Sequence, residues 1–329
     1  MNDATVLDPP GRAVAAPDAA RAVWAAERRR IEQGGYWVSP AGPRRRWRGR
    51  LLGAAIRGFG FAVRLGGLAR LGRRNALAPA LVEVELSFAG LPAAFDGYRV
   101  LHLSDTHLDA LPELAPVAAR LVDGLAVDLL ALTGDILARR RAAPETAVAP
   151  LCRVLAGVSA RDGRLAVLGN HDPAAMADAL EGAGFTVLLN RSVAISRGGE
   201  RLVVTGLDDV HSVYTAAAQA ALDAAEPGFR IALVHSAEMA DHAGAAGVAL
   251  YLCGHTHGGQ ICLPGGRPLI TQLKRCRHGA RGLWRDGAML GYTSRGLGIT
   301  GPALRFNCPS EMTLLTLRRT KRPAAGAAC

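Results

Sequence analysis

The chain has 329 residues, half of them hydrophobic, and a formal charge of +11 at pH 7. That is enough to bury a sizeable core and allows one large domain with an extension, or two small domains. Residues 1–80 hold fifteen arginines against five acids, a net of +10, so the remaining 249 residues net only +1 and the basicity belongs to the N-terminal segment. The six cysteines, Cys152, Cys253, Cys262, Cys276, Cys308 and Cys329, are widely scattered with no Cys-x-x-Cys spacing. This argues for reduced thiols rather than a disulfide framework.

Residues 1 to about 20 are rich in Ala, Pro and Asp without periodicity and are expected to be disordered. Arg21 to Gln33 predicts a short helix carrying Arg28, Arg29 and Arg30, ended by Gly34-Gly35. The run Arg44 to Arg50 leads into Leu51 to Gly72, where Arg50, Arg57 and Arg64 recur every seven residues. A membrane span needs about 20 apolar residues, and Arg57 and Arg64 interrupt this one. No clean hydrophobic core leads to a signal-peptide cleavage site either. The expectation is a basic amphipathic helix over 44–72 at an anionic membrane surface. The alternatives are a helix packed on the main domain or non-specific nucleic-acid contact; no specific nucleic-acid partner is expected. The chain is thus expected in the cytoplasm, peripheral on the inner face of the cytoplasmic membrane.

The body spans 81–318, with 319–329 as a loose basic tail. A half-exposed strand over 81–88 alternates apolar and acidic residues. Strands at 98–104, 128–133 and 164–168 then alternate with helices near 113–124, 145–157 and after Asp172-Pro173. Shorter strands near 186–189, 193–196 and 201–206 follow, the last two joined by the turn Arg197-Gly198-Gly199-Glu200. A helix near 215–225 precedes strands at 229–234, 248–253, 283–285, 288–293 and 312–318. Early βαβ units followed by hairpins fit an α/β fold of two packed mixed sheets flanked by helices.

Five apolar, strand-like runs end in polar residues of metal-ligand type. They lead into Ser104-Asp105-Thr106-His107, Thr133-Gly134-Asp135, Gly169-Asn170-His171-Asp172, His235-Ser236 and Gly254-His255-Thr256-His257-Gly258-Gly259-Gln260. In α/β sheets ligands gather beyond the carboxyl ends of strands. One Asp or Asn there is usually a turn or cap, but five such clusters are not explained as caps. Mixed carboxylate and imidazole donors suit manganese, iron or zinc better than calcium or magnesium alone. Two such ions roughly 3.5–4 Å apart can clamp the attacking and leaving oxygens of a phosphate ester and supply hydroxide at neutral pH. Neither a phosphate-cradling glycine loop with Lys nor a Gly-x-Ser-x-Gly elbow occurs, which disfavours nucleoside triphosphatase and serine-hydrolase chemistry.

This motif series, complete and in order over about 98–318, resembles the calcineurin-like metallophosphoesterase superfamily. The resemblance implies its four-layer α/β/β/α fold and a dinuclear site. Asp105, His107 and His257 would bind one metal; Asn170, His235 and His255 would bind the other; Asp135 would bridge them. His171 would touch the phosphate and protonate the leaving oxygen, with Asp172 orienting its ring. Gly254 to Gln260, Ser294-Arg295-Gly296-Leu297-Gly298, Leu304-Arg305-Phe306 and Pro309-Ser310-Glu311 look like the bacterial, partly membrane-associated phosphodiesterase branch. Relatives in that wider group cleave the pyrophosphate of UDP-diacylglucosamine in lipid A synthesis. The chain departs from the branch at Asp109, where a glycine often follows Asp-x-His, and in its missing uninterrupted N-terminal span.

Together these readings give a dinuclear phosphoester hydrolase acting on a membrane-associated, lipid-linked substrate. The alternatives are a soluble nucleotide or phosphodiester hydrolase, or a non-catalytic scaffold on the same fold. Arg295 and Arg305 are candidate phosphate ligands, and Asp208, beside Asp209 and before His211, is a candidate wall of the cleft or a turn.

Overall fold

A computed structural model describes residues 5–7, 17–33, 65–212, 216–224 and 227–320, with the single positions 54, 58 and 63. The chain opens with β1 (Thr5–Leu7), α1 (Pro17–Gln33) and α2 (Ala69–Ala76). β2 (Ala80–Phe88), β3 (Tyr98–Leu103), α3 (Leu114–Val122), β4 (Ala126–Val127) and β5 (Leu129–Thr133) follow. Next come α4 (Glu145–Val154), β6 (Ser159–Ala160), β7 (Arg164–Val167), α5 (Ala175–Gly182) and β8 (Thr186–Val187). The second half holds β9 (Arg191–Arg197), β10 (Glu200–Gly206), α6 (Ala216–Asp223), β11 (Phe229–Leu233) and α7 (Ala240–Ala245). β12 (Leu250–Cys253), β13 (Gly282–Asp286), β14 (Met289–Thr293) and β15 (Glu311–Arg319) complete the fold.

Two mixed sheets result. One has the order β2-β15-β3-β5-β7-β8 and the other β1-β9-β10-β11-β12-β14-β13, with β4-β6 as a small separate pair. The strands buried on both faces read as continuous apolar runs, as such strands must. Alternate residues then serve different cores. Val100, Leu129, Ala131 and Leu165 from one sheet meet Val204, Ile231, Leu233 and Leu252 from the other. Leu101, Leu103, Leu130 and Leu132 point the other way, against Ala118, Leu151 and Leu180 of α3, α4 and α5. On the far side, Ala232 and Tyr251 pack with Leu222 of α6 and Ala243 of α7. The order helix, sheet, sheet, helix is the expected four-layer arrangement.

Within each sheet the central strands are parallel: β3, β5 and β7 in one, and β10, β11 and β12 in the other. Their carboxyl ends therefore share a direction within each sheet.

The N-terminal segment differs from the sequence reading. α1 begins at Pro17, and Thr5–Leu7 pairs antiparallel with β9, both inside the stretch expected to be disordered. Three residues are too few to show periodicity, and the edge of β9 supplies the pairing that isolated β1 lacks. α7 has no counterpart among the predicted elements, since six residues span under two turns and leave little periodicity. The candidate amphipathic helix at 44–72 lies outside the described residues except at 54, 58, 63 and 65–72, as does the tail from 321 onwards. Among the described residues no helix is long and apolar enough to cross a membrane.

Ile231 is fully buried between the sheets. Ile231→Ala should therefore cost about 2–5 kcal/mol in urea denaturation, the range for deleting a packed core side chain.

Candidate metal centre

The loops at the carboxyl ends of both sheets meet. His235, after β11, hydrogen-bonds the carbonyl of Thr133 at the end of β5 (2.8 Å), and the His255 backbone N–H, after β12, donates to Asp105 Oδ2 after β3 (2.9 Å). Close approach needs glycine at two points. A Cβ on Gly169 would lie 2.1 Å from Asp135 Oδ1, and one on Gly254 would lie 1.9 Å from Ser104 Oγ.

Two donor groups form there. Asp105, His107 and His257 make one and Asp135, His235 and His255 the other, the donor atoms within each lying within 4.8 Å of one another. Asp135 Oδ2 lies 3.4 Å from His235 Nε2 and 3.8 Å from His107 Nε2, so this carboxylate reaches both groups. Asn170 Oδ1 adds a further oxygen 3.2 Å from His235 Nε2. All seven residues expected as ligands are thus brought together.

The rings are aimed from behind. His107 Nδ1–H donates to the Leu137 carbonyl and His235 Nδ1–H to that of Thr133, both at 2.8 Å, which turns each Nε2 toward the cluster. Asp105 Oδ1 and His107 Nε2 are buried in the cluster without a hydrogen-bond partner, and His255 turns Nδ1 to within 3.2 Å of His235 Nε2. Leaving a buried polar atom unsatisfied costs about 1–3 kcal/mol, and a concentration of such atoms fits a cation better than any neutral occupant. Five of the seven residues also hold left-handed backbone: Asp105 (φ 48°), His107 (39°), Asp135 (54°), His255 (70°) and His257 (51°). Strain of this kind persists where a site demands it.

Burial keeps three of the imidazoles neutral, the form that can bind a metal. It lowers His107 to about 4 and pushes His255 and His257 well down, each reinforced by neighbouring histidines. Burial also raises Asp105 to about 7. His235 is the exception: burial opposes its charge, yet the Asp135 carboxylate draws it up to about 10. A metal bound there would have to displace that proton. His102, one step out of phase with Asp105, is a satisfied core histidine, 2.8 Å from Thr133 Oγ1 and lowered by burial to about 3.

His171 is half-buried, its ring centroid 5.2 Å from that of His107, and its Nδ1–H donates to the Ala138 carbonyl (2.9 Å). The expected contact with Asp172 is not made. That carboxylate accepts backbone N–H bonds from Asp135, Ile136, Leu137 and Gly169 at 2.8–3.1 Å, which binds the Asp135 loop to the His171 loop. Asp109 supports the His171 ring indirectly. Its carboxylate accepts the N–H of Ala138 (2.7 Å) and of Arg139 (3.1 Å), fixing the peptide that holds His171.

The three candidate substrate residues have other partners. Arg305 is 0% exposed and donates to the carbonyls of Arg295, Gly296, Gly298 and Cys308, so a phosphate cannot reach it. Arg295 is paired with the buried Glu311. Asp208 is buried and ion-paired with Arg28, while Trp24 Nε1 donates to its other oxygen at 2.7 Å.

In the sequence Arg28 is one of three consecutive arginines on a short helix. It is 1% exposed, and its guanidinium also donates to the carbonyls of Gly169 (2.6 Å) and Asp172 (2.7 Å). The signal lies in the stripe Arg21, Trp24, Arg28 and Glu32, spaced for one helical face. His211 is a second neighbour of the site that sequence reasoning missed. Its ring lies 4.1 Å from that of His255, and its Nδ1 is 3.1 Å from Glu238 Oε1. It follows β10 as the other clusters follow their strands, so the same strand-end reasoning applies to it.

The chain is similar to known phosphoesterases over most of its body. Residues 98–266 match the family model described as the calcineurin-like phosphoesterase superfamily domain. The chain is 34% identical over 247 residues to the uncharacterized metallophosphoesterase YkuE of Bacillus subtilis, covering 70% of this chain and 82% of that protein. It is 31% identical over 232 residues to YkoQ of the same organism, another uncharacterized metallophosphoesterase, covering 68% and 84%. It is 28% identical over 229 residues to the phosphodiesterase YaeI of Escherichia coli, covering 67% and 82%.

Removing Arg28 leaves Asp208 buried without its cation. Arg28→Ala should destabilise the protein by about 3–5 kcal/mol in chemical denaturation, the cost of breaking a buried pair from one side; a loss under about 1 kcal/mol would show that α1 does not dock through this residue.

Proposed function

The chain belongs to the calcineurin-like phosphoesterase superfamily and is a phosphoric ester hydrolase, and on that premise we propose that it uses two divalent cations to cleave a phosphodiester or pyrophosphate bond in a membrane-associated, lipid-linked substrate. The observation that carries the dinuclear part is the reach of Asp135 Oδ2 to a histidine of each donor group, His107 at 3.8 Å and His235 at 3.4 Å. Asp105, His107 and His257 would hold one ion, and Asn170, His235 and His255 the other. The donor set accepts manganese, iron or zinc.

Divalent cations at such a site supply Lewis acidity toward phosphoryl oxygens and lower the pKa of water. The chain's own residues do the rest. The Ala138 carbonyl fixes His171 through Nδ1–H, leaving Nε2 as the nitrogen that passes a proton to the departing oxygen. The His171 backbone N–H donates to Asp135 Oδ1 (2.8 Å), so the acid and the shared carboxylate keep a set spacing. Asp172 holds the backbone of both loops still, and burial of the donor residues limits the water that competes for them.

The lipid-linked part is supported by the basic N-terminal segment, with a net of +10 over residues 1–80 against +1 for the rest. A molecule of the UDP-diacylglucosamine type has the required pyrophosphate and acyl chains. A hydrolysis screen over monoesters, soluble diesters, nucleotides and UDP-lipids, with each metal supplied, tests this reading. Preference for a soluble nucleotide over every lipid would reject the lipid-linked part and keep the hydrolase.

His171→Ala should lower kcat by about 10²–10⁴ for an alkyl leaving group, as for a lost general acid. The loss should be much smaller for p-nitrophenolate, which departs without a proton. Equal losses on both substrates would remove His171 from the acid role.

A further inference from the structure

Large apolar side chains left in water are unevenly placed on this protein. Among the described residues nine are exposed, and seven of these fall within 65–71 and 263–283. Leu65 (74%), Leu68 and Leu71 lie on α2 and the turn before it. Leu263, Leu269 (54%) and Ile270 lie on the hairpin after the Gly-His-Thr-His turn, and Leu283 lies on the edge strand β13.

These segments form one structural unit. The Arg305 N–H donates to the Gly72 carbonyl (3.0 Å) and Asn75 Nδ2 to the Arg305 carbonyl (3.0 Å), which fixes α2 to residues 304–306. Phe306 bridges to Ile261, and the Cys262 N–H donates to the Phe306 carbonyl (2.9 Å). Cys262 bridges in turn to Pro268, and Arg281 donates to the Gly266 carbonyl, joining the hairpin to the start of β13.

Charge follows the same map. Residues 261–285 contain six Lys or Arg and no acid, and residues 65–76 contain three Arg and no acid. Arg70 and Arg74 on α2, and Arg267, Arg277, Arg281 and Arg285 around the hairpin, are all exposed. The body from 81 onwards is close to neutral as a whole, so this is a local concentration. Arg73 and Arg275 are ion-paired with Glu113 and Asp241, but exposed leucines set among the remaining arginines fit a surface that is apolar beneath and anionic on top. A soluble protein partner would have to bring its own acids to each arginine; an anionic bilayer carries them everywhere.

We propose that α2 and the 261–285 segment form one docking surface for an anionic lipid bilayer, with Leu269 and Ile270 entering the headgroup region. The surface adjoins the metal centre: Cys262 Sγ donates to the Gly258 carbonyl (3.2 Å), one residue past His257. Docking there holds the His257 turn against the membrane, where a lipid-linked phosphoester lies. The proposal deepens the lipid-linked reading above and rests on it for its purpose.

The test is flotation of the full chain with vesicles of phosphatidylcholine alone or with phosphatidylglycerol, comparing parent and Leu269→Glu/Ile270→Glu. Both substituted side chains are exposed, and hydrolysis of the soluble diester bis-p-nitrophenyl phosphate serves as the folding control. The expected result is binding only to the anionic vesicles, weakened at least tenfold in the double variant with the soluble activity unchanged. Equal binding by parent and variant, or none by either, would overturn the proposal. So would light scattering that shows a dimer dissolved by the double substitution while vesicle binding persists, since the face would then be a self-contact. The lipid-substrate reading is scored separately, by cleavage of a UDP-lipid in detergent, where no bilayer is needed.

Discussion

The convergence of buried acceptor atoms around the Asp135 carboxylate is the constraint on which the rest of this structure depends. Imidazole and carboxylate lone pairs turned toward one another, away from water, are unfavourable unless positive charge lies among them. The chain supplies little of that charge itself. Burial keeps His107, His255 and His257 neutral, and only His235 is drawn into its protonated form, by Asp135. Two sheets, with their parallel strands ending at this centre, bring together residues more than a hundred positions apart in sequence.

Around this centre, side chains whose sequence positions suggest catalysis are used to hold backbone. Asp172 fastens the Asp135 loop to the His171 loop, Asp109 fastens the peptide that carries the His171 contact, and Arg305 gathers carbonyls of the segments at 295–298 and 308. Left-handed backbone at five donor residues explains the need. Loops bent so sharply would relax without such ties, and misplacing a reacting group by an ångström is costly. Arg28 extends the same principle to α1, whose guanidinium closes on the carbonyls at both ends of the Gly169-Asn170-His171-Asp172 turn.

Much of this was legible in the sequence, because strands buried on both faces and loops ending in ligand-type residues leave strong local patterns. The run Leu129 to Thr133 and its Gly134-Asp135 ending sit as expected, and the same holds for Cys253 leading into His255 and His257. What could not be read depended on the third dimension. Nothing local distinguishes a guanidinium that binds phosphate from one that binds carbonyls, and Arg305 is of the second kind. Asp172 stands beside His171 in sequence, but its side chain turns inward to backbone amides. Thr5–Leu7 is ordered by the edge of β9 rather than by its own propensity. Arg28 and His211 did leave signals, a helical stripe and a strand-end position, that simpler readings of basic charge and of a turn obscured.

If Asp105, Asp135 and their histidines hold a pair of divalent cations in one buried pocket, the metal content of the protein must show it. Elemental analysis of the full-length protein, purified without chelator and then resupplied with manganese, iron or zinc, measures this most directly. Close to two ions per chain are expected, and close to none after Asp135→Ala in a variant that still folds. A purified chain that takes up no divalent ion under any supply, or an Asp135→Ala variant that keeps both, would contradict it.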